Sequence, residues 1–109
     1  PCFTVNGVRF GVEVCMDHAD RTLKNFLNGG SVDVHILISD GVTPDNSRIA
    51  AKTGGYVIHC DLSGDQKAAV RVYTTTGAWN MDAPTLVKPC GISNPQVNGV
   101  VTEVFKFDV

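Results

Sequence analysis

The sequence predicts an α/β protein with a mostly parallel sheet, helices on one face and an antiparallel β segment towards the C-terminal end. Strand-like apolar runs alternate with single helix-like segments through the first half of the chain, an order that produces right-handed crossovers and parallel pairing. Hydrophobic residues make up 43% of the 109 residues, which is enough for a packed core. We therefore expect residues 1–109 to form a single domain.

The first predicted strand covers residues 8–14, and a shorter strand at residues 3–5 precedes it. The Asn6-Gly7 pair between them is typical of a two-residue hairpin. The first predicted helix takes Asp17 as its N-cap and ends at a Gly-Gly pair. Its apolar residues recur at helical spacing and form one stripe, namely Ala19, Leu23, Phe26 and Leu27.

The next predicted elements are a strand at residues 32–38, a short helix at residues 43–52 and a strand at residues 56–62. The helix is predicted because Thr43-Pro44 combines an N-cap residue with proline at the first helical position.

The second half of the sequence reads as irregular β structure. A strand at residues 68–75 is expected to pair antiparallel, because no helix separates it from the strand before it. Residues 77–99 are rich in Gly, Pro and Asn and predict a long loop. Residues 100–107 alternate like a final strand.

Charge and hydropathy exclude several classes of partner. The net charge is −2, which gives no reason to expect binding to nucleic acid or to an acidic membrane. No apolar run approaches the roughly 20 residues of a membrane-spanning helix, and no signal peptide is visible. We expect a cytoplasmic protein with four free thiols, Cys2–Cys90 being the one plausible bridge. Because the sequence begins without Met, we also expect a processed or excised chain.

Cys15 lies where a nucleophile is expected. It follows the predicted strand at residues 8–14 and precedes the polar segment at residues 16–21, so it lies between a predicted strand and a predicted helix. The helix dipole and the unpaired amides of the first turn favour a thiolate at such a position. The same amides could hold an oxyanion beside the sulfur.

Residues 10–17, Phe-Gly-Val-Glu-Val-Cys-Met-Asp, resemble the nucleophile motif of the nitrilase (carbon–nitrogen hydrolase) superfamily. That motif has a glycine, an apolar strand, then Cys, a variable residue and Asp. Residues 28–39, 48–58 and 101–108 resemble later segments of the family in the same order. The resemblance implies an α-β-β-α sandwich, of which this chain is similar to the C-terminal half.

The resemblance also implies a mechanism. The family uses a Glu–Lys–Cys triad, in which Cys attacks a nitrile or amide carbon, Glu is the base and Lys stabilises the oxyanion. Cys15 matches the nucleophile, the amide of Met16 matches an oxyanion donor, and Asp17 belongs to the motif. Glu13 and Glu103 do not match the base, and no lysine precedes Cys15. We expect the missing Glu and Lys on an absent segment or a partner chain.

Three other readings of these residues are possible. His18 could serve as a local base for Cys15, although a surface position in the first helical turn is the plainer interpretation. The Cys15-x5-Arg21 spacing occurs in thiol phosphatases, but two aspartates in the loop would repel a phosphate. His35, His59 and Cys60 could be imagined with Cys15 as zinc ligands, but they lack paired-ligand spacing. We expect no metal and no cofactor.

These observations lead to one hypothesis and one alternative. The hypothesis is a carbon–nitrogen hydrolase of the amidase or nitrilase type, with Cys15 attacking a small-molecule amide or nitrile and with little activity from this chain alone. The alternative is a non-catalytic nitrilase-like module that serves assembly or binding. A hydrolase that uses only Cys15 and His18 is the weakest reading. In each case an uncovered sheet face predicts a homo-oligomer or a pairing with an N-terminal half.

Overall fold

The computed structural model describes residues 1–62, 69–92 and 103–108. Six strands in these ranges form one sheet in chain order: β1 Cys2–Val5, β2 Val8–Val14, β3 Val32–Ser39, β4 Ala51–Asp61, β5 Ala69–Thr74 and β6 Thr85–Leu86. A second sheet pairs β7 (Gly91–Ile92) with β8 (Glu103–Val104). Helices α1 (Met16–Ala19) and α2 (Thr22–Leu27) lie between β2 and β3, and a 3₁₀ turn (Asn46–Arg48) lies between β3 and β4.

Several predicted strand pairings are confirmed. β1 and β2 form an antiparallel hairpin across Asn6 and Gly7, whose φ angles of 49° and 80° are those that a tight hairpin turn requires. β2, β3 and β4 are parallel neighbours. β5 returns antiparallel against β4, as the sequence predicts.

The predicted fold class is wrong. The described chain is a mostly β protein with a mixed sheet, not an α/β half sandwich with helices on one face. Of the five pairings in the main sheet only β2–β3 and β3–β4 are parallel, so the sheet is not mostly parallel either. The two α-helices have four and six residues, too few to form a helical layer.

The first predicted helix is broken because the chain must bury two side chains that a continuous helix would separate. Arg21 adopts a left-handed conformation with φ 58° and divides α1 from α2. The break turns both His18 and Leu23 towards the sheet, where each is buried. Asp17 is not the N-cap; Cys15 is, without a side-chain cap.

The second predicted helix is replaced by a single 3₁₀ turn. The Asp45 carboxylate accepts the backbone N–H of Ser47 at 2.9 Å and caps the turn, and Ile49 is already extended. Ala50 then accepts the N–H of Val32 at 2.9 Å, and β4 begins at Ala51. Pairing with β3 therefore outweighs the local helix signal of Thr43-Pro44.

Apolar side chains pack on both faces of the sheet. On the helix side Leu23, Val32 and Ala50 form one cluster. Gly11 leaves room for Leu23 there, because a Cβ at this position would lie 2.7 Å from Leu23 Cδ2 and would force that side chain to shift. On the opposite side Val34, Tyr56 and Val72 form a second cluster, which the C-terminal Phe105 and Phe107 partly cover.

The remaining predictions fall on the last third of the chain. Within the predicted loop 77–99 the structure places β6 and β7, while residues 93–99 lie outside the described residues. Of the predicted strand 100–107, β8 is the part observed, and residues 100–102 lie outside the described ranges. The four cysteines are all described, and each is a free thiol. Among the helices that the structure describes, none has the length and apolarity to cross a membrane.

Candidate active site at Cys15

The C-terminal ends of the parallel strands meet at one edge of the sheet, the edge where α/β proteins place their ligands. β2 ends just before Cys15, β3 ends at Ser39, and β4 ends at Asp61. A shallow pocket opens at this edge. Its lining residues are Val14, Cys15, Ile38, Ser39, Asp40 and Leu62.

Cys15 has a strained backbone. Its φ of 51° and ψ of −112° place a residue with a Cβ in a region that side chains other than glycine rarely adopt. Its N–H donates to the carbonyl oxygen of Ile38 at 2.7 Å, which fixes the end of β2 against β3. A strained strand-to-helix turn of this kind is how hydrolases expose a nucleophile above a sheet.

Glu13 is buried directly before this turn. It is 1% exposed, and its carboxylate accepts three hydrogen bonds. Oε1 accepts from His18 Nδ1 at 2.8 Å and from His35 Nε2 at 2.7 Å, and Oε2 accepts from the Leu23 N–H at 3.0 Å. Both imidazoles are as deeply buried as the carboxylate.

Backbone donors determine where the imidazole protons lie. The Asp45 N–H donates to His18 Nε2 at 3.0 Å, so His18 carries its proton on Nδ1. The Ala50 N–H donates to His35 Nδ1 at 3.1 Å, so His35 carries its proton on Nε2. Two neutral histidines therefore each donate to one ionised carboxylate.

The hydrogen bonds keep Glu13 ionised. Burial by itself would raise the pKa of the carboxyl group, but the hydrogen bonds from His18, His35 and Leu23 outweigh it. The result is a pKa lowered from 4.5 to about 2.

The Glu13, His18 and His35 donor atoms lie close enough together to suggest a metal site, yet they do not fit one. A metal-bound histidine normally donates its second N–H to an acceptor. Here the second nitrogen of each ring already accepts a backbone N–H, so metal binding would require a fully deprotonated ring. The arrangement is that of a hydrogen-bonded cluster.

A second buried network fixes the turn after β3. The Ser39 hydroxyl donates to the Val42 carbonyl oxygen at 2.8 Å, and His59 Nε2 lies 3.0 Å from both groups. Because a carbonyl oxygen only accepts, Nε2 carries the proton and cannot deprotonate Ser39. Burial lowers the pKa of His59 and keeps it neutral, although the Val42 carbonyl opposes this. Asp61 is 3.6 Å from the same nitrogen, so these residues do not form a serine triad.

The predicted site residues differ in whether the structure places them at the pocket. Cys15 lines the pocket, and the Met16 N–H beside it has no acceptor among the described residues. Asp17 is exposed, and its carboxylate accepts the Val14 N–H at 3.3 Å. His18 is buried, so its interpretation as a surface residue is wrong, and both its ring nitrogens are engaged away from Cys15.

The residues proposed as zinc ligands are not brought together. His35 belongs to the Glu13 cluster and His59 to the turn after β3. Cys60 is partly buried, and burial raises the pKa of its thiol. Arg21 donates to the Ser47 hydroxyl at 3.4 Å rather than to a carboxylate.

Glu13 is the residue whose importance the sequence interpretation missed. The two-residue periodicity of β2 pointed the other way, because Glu13 alternates with Val12 and Val14 and shares a face with Arg9. The structure nevertheless buries Gly11 and Glu13 on this face. A buried carboxylate requires donors. The identity of those donors could not be read from the sequence, because His35 is 22 residues away.

Comparisons with protein-family models, with curated proteins and with solved structures find no match to this chain. The function is therefore argued from the geometry of the site.

Proposed function

We propose that the protein is a carbon–nitrogen hydrolase in which Cys15 attacks a small-molecule nitrile or amide. The observation that carries the proposal is the backbone of Cys15, strained at φ 51° and ψ −112° where a parallel strand gives way to a helix. Strain of this kind persists where it serves a site. The Met16 N–H, which has no acceptor in the described part of the chain, supports a role as an oxyanion donor next to the sulfur.

The reaction begins with attack of the Cys15 thiolate on the electrophilic carbon. With a nitrile, an S–C bond forms, a C≡N π pair moves to nitrogen, and nitrogen takes a proton to give a thioimidate. With an amide, the tetrahedral oxyanion collapses to a thioester, and the protonated amine leaves. The thioimidate first adds one water and loses ammonia, which gives the same thioester. A further water then hydrolyses the S–C bond of the thioester, returns the thiol and releases the acid.

This chemistry also requires a base to take up the proton and a cation to stabilise the oxyanion, both close to Cys15. The described residues that line the pocket include neither glutamate nor lysine, and Asp40 is their one charged side chain. The proposal therefore includes a second chain, either another copy or an N-terminal half, that supplies both groups. Exposed aliphatic side chains beside the pocket favour such contact, namely Val14, Ile38 and Leu62. A cytoplasmic location, where the thiol stays reduced, belongs to the same proposal.

The role of the α1 dipole in this proposal is small. The helix has only four residues, so it adds little to the electrostatics at the sulfur. The turn itself, with a partly buried Cys15 that lines the pocket and with the adjacent Met16 amide, is the feature expected to make Cys15 reactive.

Alkylation rates test the nucleophile. With iodoacetamide at neutral pH, we expect Cys15 to react about tenfold faster than Cys60, because burial raises the pKa of the Cys60 thiol. Peptide mass spectrometry over time measures each site. Exposed Cys90 is the internal standard, and Cys15 must also react faster than it does. Cys15→Ala should remove the fast phase and Cys90→Ala should keep it; equal rates at Cys15 and Cys90 would contradict the proposal.

The described residues that line the Cys15 pocket include neither glutamate nor lysine, and this favours one alternative, a non-catalytic module for assembly or binding. Ammonia release from a panel of small nitriles and primary amides separates the two functions. The hydrolase predicts release that Cys15→Ala abolishes and Cys90→Ala preserves. A module predicts no release under any condition, including in the presence of its natural binding chain.

A further inference from the structure

Glu13, His18 and His35 form a buried cluster that we call the clasp. The clasp joins β2 on one side of the strained turn at Cys15 to α1 on the other. Glu13 precedes Cys15 by two residues and His18 follows it by three. The 2.8 Å hydrogen bond from His18 Nδ1 to Glu13 Oε1 therefore closes a short ring of chain around Cys15. His35 ties this ring to β3, and the Leu23 N–H ties it to α2.

The turn needs such a closure. A residue in an unfavourable backbone region costs about 1–3 kcal/mol and persists only where its surroundings determine it. Outside the clasp, the Cys15 N–H donates to the Ile38 carbonyl oxygen, which fixes the strand side of Cys15. On the helix side, the Cys15 carbonyl oxygen accepts the His18 N–H at 3.1 Å, and exposed Asp17 accepts the Val14 N–H at 3.3 Å. The His18 N–H bond belongs to helix α1, which is one turn long and cannot hold this side by itself.

A glutamate suits this position for a specific reason. The three groups that face its carboxylate are all donors, and an ionised carboxylate only accepts. A glutamine amide of the same shape would turn an N–H₂ group towards at least one of them. An aspartate would be one methylene too short to reach all three.

The clasp does not take part in the chemistry directly. The carboxylate is 1% exposed and engaged by three donors, and each imidazole uses both of its nitrogens. None of these groups is available to take a proton from Cys15.

We infer that Glu13 and His18 are positioning residues that hold Cys15 in its reactive conformation, with His35 as their anchor to β3. The inference rests on the proposed role of Cys15 as nucleophile. It adds that the reactivity of this thiol depends on one buried hydrogen bond beneath it.

Two substitutions of His18 separate its two hydrogen bonds. In His18→Asn the side-chain amide takes the place of Nδ1 and still donates to Glu13, but the acceptor for Asp45 is lost. In His18→Gln the amide reaches the place of Nε2, so its oxygen accepts from Asp45 while the donor to Glu13 is lost. Glu13→Gln removes the charge itself. Val72→Ala, in a buried cluster on the other sheet face, controls for general loss of stability.

The readout is the iodoacetamide rate of Cys15 relative to Cys90 in each folded variant, with folding checked by circular dichroism. We expect Glu13→Gln and His18→Gln to lower this ratio about tenfold, and His18→Asn and Val72→Ala to stay within about twofold of the wild type. A wild-type ratio in His18→Gln, or an equal fall in His18→Asn and His18→Gln, would overturn the inference. If Glu13→Gln does not fold, the two His18 variants decide.

The same measurements keep the two proposals apart. Absence of nitrile and amide hydrolysis by the wild type together with its binding chain would refute the proposed function without changing the alkylation ratios. Unchanged ratios in the clasp variants would refute the positioning role and leave the hydrolase proposal intact.

Discussion

At the scale of single residues, Glu13 is an ionised carboxylate in a place that water does not reach. Such a charge destabilises a fold unless donors surround it, and here all its donors come from the chain itself. The cluster therefore makes the stability of the protein depend on the ionisation of one side chain.

Acid should weaken the fold through Glu13. Its folded pKa of about 2 lies below the ordinary value of 4.5, so its contribution is present above pH 4.5 and is lost as the pH falls towards 2. The linked free energy is about 3 kcal/mol. Urea unfolding of the wild type at pH 7 and at pH 3 should show about 2 kcal/mol of this loss, because pH 3 still lies above the folded pKa.

Glu13→Gln is the matched variant for this prediction. It should be less stable than the wild type at pH 7, because one hydrogen-bond donor now faces an amide N–H₂. It should also lose less stability between pH 7 and pH 3. Parallel pH profiles for the two proteins would show that other groups cause the acid sensitivity.

At the scale of elements, β4 departs from regular pairing with β3 near its start. β4 contains an irregular stretch between its pairing of Ala51 with Val32 and its pairing of Tyr56 with Val34. Gly55 lies in this stretch. A Cβ there would be 2.7 Å from the Asp33 carbonyl oxygen and 2.9 Å from the Lys52 carbonyl oxygen. Both contacts are with backbone, which cannot move aside as a side chain can.

Gly55→Ala should therefore destabilise the protein by about 1–3 kcal/mol, the usual cost of steric crowding in a packed region. Gly77→Ala is the matched control, because a Cβ at that position meets nothing within 4 Å. It should change stability by less than about 0.5 kcal/mol. Urea midpoints of the two variants test the comparison, and equal midpoints would contradict it.

At the scale of the whole molecule, the C-terminal segment returns to the far face of the sheet. The rings of Tyr56 and Phe107 have centroids 4.6 Å apart, and the Asp108 N–H donates to the Tyr56 hydroxyl at 2.9 Å. A contact between β4 and residues near the end of the chain makes both part of one folded unit.

Phe107→Ala should lower the free energy of unfolding by about 2 kcal/mol, below the roughly 3–5 kcal/mol of a fully buried phenylalanine, because Phe107 is only half-buried. Phe26→Ala, the same change at an exposed position on α2, should have little effect. Thermal unfolding of both variants measures the difference. An equal response would mean that the C-terminal segment contributes nothing to the fold.

Features of the fold that depend on neighbouring residues could be predicted from the sequence, whereas features that depend on contacts between distant residues could not. Asn6-Gly7 specified its hairpin, because a turn of two residues is fixed by its own backbone. The strands on either side of Cys15 and the place of Cys15 between strand and helix also followed from local pattern. The helix break at Arg21 and the replacement of the second predicted helix could not be predicted from local pattern. Both are caused by contacts with distant residues, namely packing against β2 and pairing with β3.

The candidate site divides in the same way. The position of Cys15 between a strand and a helix was predictable from its neighbours, whereas the burial of His18 was not, since its partners Glu13 and Asp45 lie in different parts of the chain. The burial of Glu13 was not predictable either, because the alternation of β2 groups it with Arg9 and because one of its donors, His35, is 22 residues away.

The clasp also has a consequence for biosynthesis. Its bonds span separations of 5, 10 and 22 residues, so the last of them cannot form before β3 has paired with β2. The bond from the Cys15 N–H to the Ile38 carbonyl oxygen also has to wait for β3. The strained turn is therefore complete only when β3 is in place, and the proposed reactivity of Cys15 is expected to appear only at that stage of folding.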